Sequence, residues 1–198
     1  MTLPTTLPVL RTPRLLLRAL VPADAASVFA LFAHPEVMRY WSCVPWTDRG
    51  EAARFIAKDA EALTAGTWLR WGWARPDTDA IIGACGLFDL DADNQRAEVG
   101  YLLARDAWGH GYAAEGVSAV LRYGFEALGL RRVEADIDPR NAASIRLCER
   151  AGFRYEGLLR ERWHVNGEIC DTAFYGLLRR EWVPYTARAA ASSAPPRS

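Results

Sequence analysis

Trp108-Gly109-His110-Gly111-Tyr112-Ala113-Ala114 decides how this chain is read. Two glycines stand two residues apart, where the backbone can turn sharply and bring N–H groups close to an anion. Directly after them the apolar residues fall at helical spacing, with Ala113, Val117, Val120, Leu121, Phe125 and Leu128 on one stripe and Gly129 placed as a C-cap. The spacing predicts a helix over about residues 110–128. Its first turn carries N–H groups without intrahelical acceptors and a partial positive charge, so a phosphate fits there without any basic side chain.

Taken literally, Gly109-x-Gly111-x-x-Ala114 also matches a dinucleotide-binding fingerprint, with Glu134 about 20 residues downstream. The surroundings argue against that reading. Residues 105–108 separate the glycines from the preceding strand pattern, an antiparallel meander stands upstream, and one strand-helix-strand unit is visible where the dinucleotide fold needs several. A third reading leaves the glycines as plain turn residues.

Working outward, residues 14–20 read as a first strand, and Pro22-Ala23-Asp24 opens a short helix through Ala26, Phe29, Ala30 and Phe32. An irregular stretch, residues 34–47, holds Trp41 and Trp46, and residues 48–63 again show helical periodicity until Gly66. Strands follow at 67–74, 80–88 and 97–104, separated by turn-forming residues. Beyond the long helix come a strand at 132–137, a short helix at 141–151 stopped by Gly152, and a hairpin of 153–163 with 168–178 across Val165-Asn166-Gly167. Residues 1–185 form one domain in this reading, and the Ala-, Ser- and Pro-rich residues 186–198 a flexible tail.

The 198 residues include 51% apolar ones, enough for one hydrophobic core. Twenty-four basic residues balance 24 acidic ones, so the wide positive field that nucleic acid or anionic lipid demands is missing. No apolar run is long enough for a membrane span, and charges interrupt residues 1–18 where a signal peptide needs an apolar run, which predicts a cytoplasmic protein. Cys43, Cys85, Cys148 and Cys170 are far apart, which favours reduced thiols over a zinc site or disulfides.

Several ordered motifs together resemble the GCN5-related N-acetyltransferases, in particular the branch of the RimJ and RimL ribosomal-protein acetyltransferases. They are Arg14-Leu15-Leu16-Leu17-Arg18, Pro35-Glu36-Val37-Met38, Glu98-Val99-Gly100-Tyr101-Leu102, the glycine loop from Trp108 to Ala113, and Asn141-x-x-Ser144 followed by Gly152-Phe153. The resemblance spans about residues 12–182, and Trp108 at the head of the loop is usual in that branch. It implies an α+β (α/β) fold: a central mixed, mostly antiparallel sheet of about seven strands flanked by about four helices. It also implies acetyl-CoA as co-substrate without a metal, a primary amine as acceptor, and direct transfer in a ternary complex. A homodimer is compatible with it, as is a non-catalytic acyl-CoA-binding module.

By the same resemblance, the glycine loop with Trp108, Gly109, His110, Gly111, Tyr112, Ala113 and Ala114 holds the cofactor phosphates. Backbone groups of Leu102 and Leu103, together with Asn141 and Ser144, meet its arm. Attack on a thioester needs a neutral amine, whereas α-amino groups have a pKa near 8 and lysine side chains one near 10.4, so a base must take a proton. Glu98 occupies the family position for that base; the competing reading is a solvated or salt-bridged strand residue. Asn141 also suits an N-cap. Many relatives carry a Tyr seven residues after this Asn as the acid that protonates the departing thiolate, and this chain has Cys148 there. Cys148, or Ser144 with a water, could supply that proton, but a free Cys usually behaves as a small buried hydrophobe. The acceptor cleft is expected between residues 34–48 and the hairpin around Asn166.

Overall fold

The computed structural model describes residues 3–184, so the expected tail at 186–198 lies outside the described residues. The strands are β1 (Leu10–Arg11), β2 (Leu16–Arg18), β3 (Leu69–Ala74), β4 (Ile81–Asp91), β5 (Arg96–Leu103), β6 (Arg132–Ile137), β7 (Arg154–Val165) and β8 (Glu168–Leu178). The helices are α1 (Ala25–Ala33), α2 (Pro35–Met38), α3 (Gly50–Ala65), α4 (Tyr112–Arg122) and α5 (Ala142–Ala151). One sheet of eight strands runs in the order β1-β2-β3-β4-β5-β6-β8-β7. Every neighbouring pair is antiparallel except β5 with β6.

The sheet has one strand more than expected and the helices number one more, each for a local reason. β1 is two residues long, too short to show any periodicity. It is followed by a turn in which Thr12 N donates to Leu15 O at 3.0 Å and Leu15 N to Thr12 Oγ1 at 2.9 Å. That turn shortens the strand expected at 14–20 to the three residues of β2. α2 is a single turn inside the stretch read as irregular; Pro35 opens it, and the His34 ring caps it by accepting from Glu36 N at 3.2 Å.

The long helix also ends earlier than its apolar stripe suggests. After Arg122 the chain widens into a π-turn over Tyr123–Ala127, with Leu128 N donating to Tyr123 O at 3.1 Å. At Gly124 a Cβ would come within 3.1 Å of Leu130 and 3.4 Å of Leu87, so the widened turn lies close on the sheet. The hairpin behaves as Asn-Gly dictates: Asn166 and Gly167 have φ of 49° and 81°, both positive as a type I′ turn requires.

Each face of the sheet buries its own core. Trp71, Trp73, Leu87, Val99, Val117, Leu121, Phe125 and Leu177 lie between the sheet and the layer of α4 and α5. Val28, Leu31, Phe32, Ile56, Ala84 and Leu102 lie between the opposite face and α1–α3. Among the described residues no helix is long and apolar enough to cross a membrane.

Candidate active site

The sheet is interrupted at its one parallel junction. β5 and β6 pair only at Arg96↔Arg132, Ala97↔Val133 and Glu98↔Glu134. From there β5 stays bonded to β4 as far as Leu103, and β6 to β8 as far as Ile137. The two strands diverge like a fork, each with a free edge, and a cleft of about 990 Å³ opens between them. Residues 98–103 all line this cleft, so side chains from both faces of β5 border it. The unpaired N–H and C=O groups along the two edges are left for another partner.

Glu98 stands at the crotch of the fork, partly buried. Among the described residues no side chain or amide donates a hydrogen bond to it and no cation makes an ion pair with it, which removes the salt-bridged reading. Burial, followed by the charges of Asp136, Asp89 and Glu134, pushes its carboxyl up to about 7, against a smaller opposite effect of Arg162. Asp136, beside it on β6, accepts from Thr172 Oγ1 at 2.5 Å and Trp163 Nε1 at 3.1 Å through Oδ1. Its Oδ2 has no hydrogen-bond partner and lies 3.5 Å from Arg162 Nε.

At the wide end of the cleft sits the glycine loop. Gly109 and Gly111 both have φ of 80°, in the left-handed region that glycine alone enters freely. A Cβ at Gly109 would meet nothing within 4 Å. Gly111 is the N-cap of α4 and has no side chain to cap it, so the first-turn amides stay open to an anion. Trp108 fastens the loop to the strand: its indole donates to Leu103 O at 2.8 Å, occupying one lone pair of a carbonyl expected to face the cofactor arm. The His110 ring is solvent-exposed, and its carbonyl accepts from Arg14 Nη1 at 2.8 Å.

The loop has a further support that sequence reading missed. Glu115, in the first turn of α4, receives Thr12 Oγ1 at 2.6 Å, Arg14 N at 2.8 Å and Arg14 Nε at 2.7 Å, and pairs with Arg14 Nη2 at 2.6 Å. Arg14 also lies over the Tyr112 ring, 4.8 Å from its centroid. Read as the start of a strand, Arg14 gave no sign that its partner lay 101 residues away.

Of the residues singled out from sequence, Glu98, Leu102, Leu103, Trp108, Gly109, Ala113, Asn141 and Ser144 line the one cleft. His110, Gly111, Tyr112 and Ala114 belong to the loop and helix start at its mouth and do not line it. Asn141 caps α5, its Oδ1 accepting from Ser144 N at 3.1 Å. Cys148 is fully buried and absent from the lining, and burial pushes its thiol up to about 12. The thiol packs in the core and does not border the cleft. Tyr101, Asp136 and Trp163, none of them given a role from the sequence, also line the cleft. Residues 35–45 and the β7–β8 hairpin meet across its far end, where Trp41 borders it while Trp46 stacks on Phe32 at 4.3 Å.

A single parallel junction excludes the doubly wound dinucleotide fold. Residues 14–154 match the model of the acetyltransferase (GNAT) domain. The uncharacterized N-acetyltransferase p20 of Bacillus licheniformis is 38% identical over 173 residues, covering 87% of this chain and 97% of the relative. RimJ of Mycobacterium smegmatis, solved in complex with CoA-disulfide, superposes with a TM-score of 0.85 at 20% identity, covering 96% of this chain and 97% of that one. Spermidine N-acetyltransferase of Vibrio cholerae, solved with CoA and spermine, gives 0.76 at 24% identity, covering 86% and 98%. The forked sheet, the glycine loop at a helix start and the family match agree: the chain belongs to the GNAT acetyltransferase family and is an N-acetyltransferase whose acetyl donor is acetyl-CoA.

Proposed function

We propose that this enzyme, a single domain over residues 1–185 acting in the cytoplasm, acetylates a protein or peptide N-terminal α-amino group by direct attack in a ternary complex. The observation that carries the reading is Glu98: a carboxylate without donors, at the crotch of the fork, pushed up to about 7. A base of that strength is matched to an ammonium of pKa near 8. A lysine ammonium near 10.4 would release its proton to it some hundredfold less readily.

Each end of the cleft has its task in this proposal. The amides at Gly109–Ala114 receive the pyrophosphate of acetyl-CoA, and the free edge of β5 at Leu102 and Leu103 meets the arm with Asn141 and Ser144 opposite. The acceptor enters from the side of Tyr40, Trp41 and Trp163. Its nitrogen loses a proton to Glu98, directly or through a water, and attacks the thioester carbonyl; the C–N bond forms as the C–S bond breaks. Carboxylates at this end suit a cationic acceptor: beyond Glu98 and Asp136, Asp171 borders the cleft, whereas of the arginines that line it Arg140 is tied to Asp138 and Glu168 and Arg70 to Asp59.

The same acidic lining supports a second reading, a small polycationic amine, which the spermidine N-acetyltransferase likeness also suggests. Release of free CoA thiol, measured across peptides with free and blocked N-termini, polyamines and amino acids, tests the choice. Turnover of free N-termini with none of the blocked peptides is expected. Turnover of polyamines alone would replace the peptide by the small amine.

A further inference from the structure

With Cys148 buried, the family position for the acid that protonates the departing sulfur is empty of any usable proton donor. We propose that Tyr101, from strand β5, supplies that proton in this enzyme. The inference rests on the proposed placement of the thioester along the free edge of β5.

Tyr101 stands in the middle of that edge, between Glu98 and the amides of Leu102 and Leu103, and it lines the cleft. The alternation of a strand turns its side chain to the face opposite Glu98, toward α5. There its hydroxyl lies 3.9 Å from Cys148 Sγ and beside Ser144. A tyrosine at position 148 would have to occupy this same space. The small thiol leaves room for a phenol that arrives from the strand, so the hydroxyl is delivered from the other wall of the same gap.

The remaining candidates are weaker. Cys148 does not border the cleft, no histidine among the described residues lines it, and the Ser144 hydroxyl alone is a poor acid. Burial keeps the Tyr101 phenol protonated well above the pH at which the amine reacts. As the C–S bond breaks, the electron pair stays on sulfur and the phenolic proton moves to it, giving the free thiol. The tyrosinate oxygen takes a proton from Ser144 Oγ, which is reprotonated by cleft water. Ser144 is placed for this because its hydroxyl favours the ionised phenol. The amine's proton leaves separately through Glu98, so charge balances over the cycle.

The test is Tyr101→Phe, read in two ways. The first is steady-state kinetics: kcat should fall about tenfold or more, with KM for acetyl-CoA within about twofold of the unmodified enzyme. The second needs no turnover. The thiol of CoA bound to the enzyme is titrated through the ultraviolet absorbance of its thiolate, and loss of a donor to that sulfur should raise its pKa by about one unit. If Tyr101→Phe fails to fold, 3-fluorotyrosine at position 101 keeps the shape, acidifies the phenol and should lower the same pKa. An unmoved thiol pKa with CoA still bound would overturn the proposal and return Tyr101 to packing. Failure of the unmodified enzyme to bind CoA would instead overturn the placement of the cofactor, and this inference with it.

Discussion

Glu98 is worse off ionised in the folded chain than in the unfolded one, and this has a measurable sign. Its carboxyl rises from the ordinary 4.5 to about 7 on folding. The group therefore adds stability below about pH 4.5 and loses it as pH climbs through about 7. Glu98→Gln should match the unmodified protein near pH 4 and melt higher at pH 8. The gain should be about 1–2 kcal/mol, less than the full shift implies because the side chain is only partly buried. The same variant should lower kcat about 10²-fold at neutral pH, with partial recovery at alkaline pH as the amine deprotonates unaided. A variant that melts lower at pH 8 would mean that Glu98 has a stabilising partner after all. The family pattern made Glu98 legible in the sequence, because it belongs to a run of fixed order. Tyr101 is in the same run and was passed over, since strand alternation alone places it on the face away from Glu98 and says nothing of what α5 leaves room for.

At the scale of elements, α4 shows why propensity is a poor guide where packing is tight. A Cβ at Gly116 would lie 2.5 Å from two ring atoms of Trp73, itself fully buried. Gly→Ala in a helix interior ordinarily stabilises by about 1 kcal/mol. Here a rigid ring blocks the added methyl, and overpacking costs about 1–3 kcal/mol. Gly116→Ala should thus lower Tm by a few degrees, read by thermal melting; a rise would show that the Trp73 ring can slide aside. The apolar stripe of α4 was readable as a helix, but its early end was not. Leu128 still faces the core across the π-turn, so the hydrophobic pattern continues where the regular hydrogen bonding does not. Short pieces such as β1 and α2 escaped for the reverse reason: each is fixed by one or two contacts and is too brief to form a pattern.

Across the whole molecule, the antiparallel meander, the hairpin and the helix layers could all be read from periodicity and turn residues. The fork could not. It depends on where two strands, whose paired residues lie 36 apart in the chain, stop pairing, a matter of tertiary register that neither strand records in its own sequence. Its free edges make a prediction about exchange. The amides of residues 99–103 and 135–137 that face the cleft have no strand partner there, so addition of CoA should slow their hydrogen exchange selectively. Amides of the β3–β4 ladder should change little. Protection confined to the glycine loop would show that the arm does not lie in the fork.

The strand order also sets how far the chain can be trimmed. The family match ends at residue 154, yet β8, which follows it, lies in the sheet between β6 and β7. Cutting there would strip β6 of its antiparallel neighbour along all six residues and leave Val133, Ala135 and Ile137 beside a missing wall. Starting at residue 14 would also remove Thr12, whose hydroxyl helps to hold Glu115. A chain of residues 14–154 should therefore aggregate on expression while residues 3–184 fold, which solubility and circular dichroism would reveal. The smallest autonomous unit is larger than the stretch by which its kinship is recognised, and homologous fragments cut to that stretch would look inactive for reasons unrelated to chemistry.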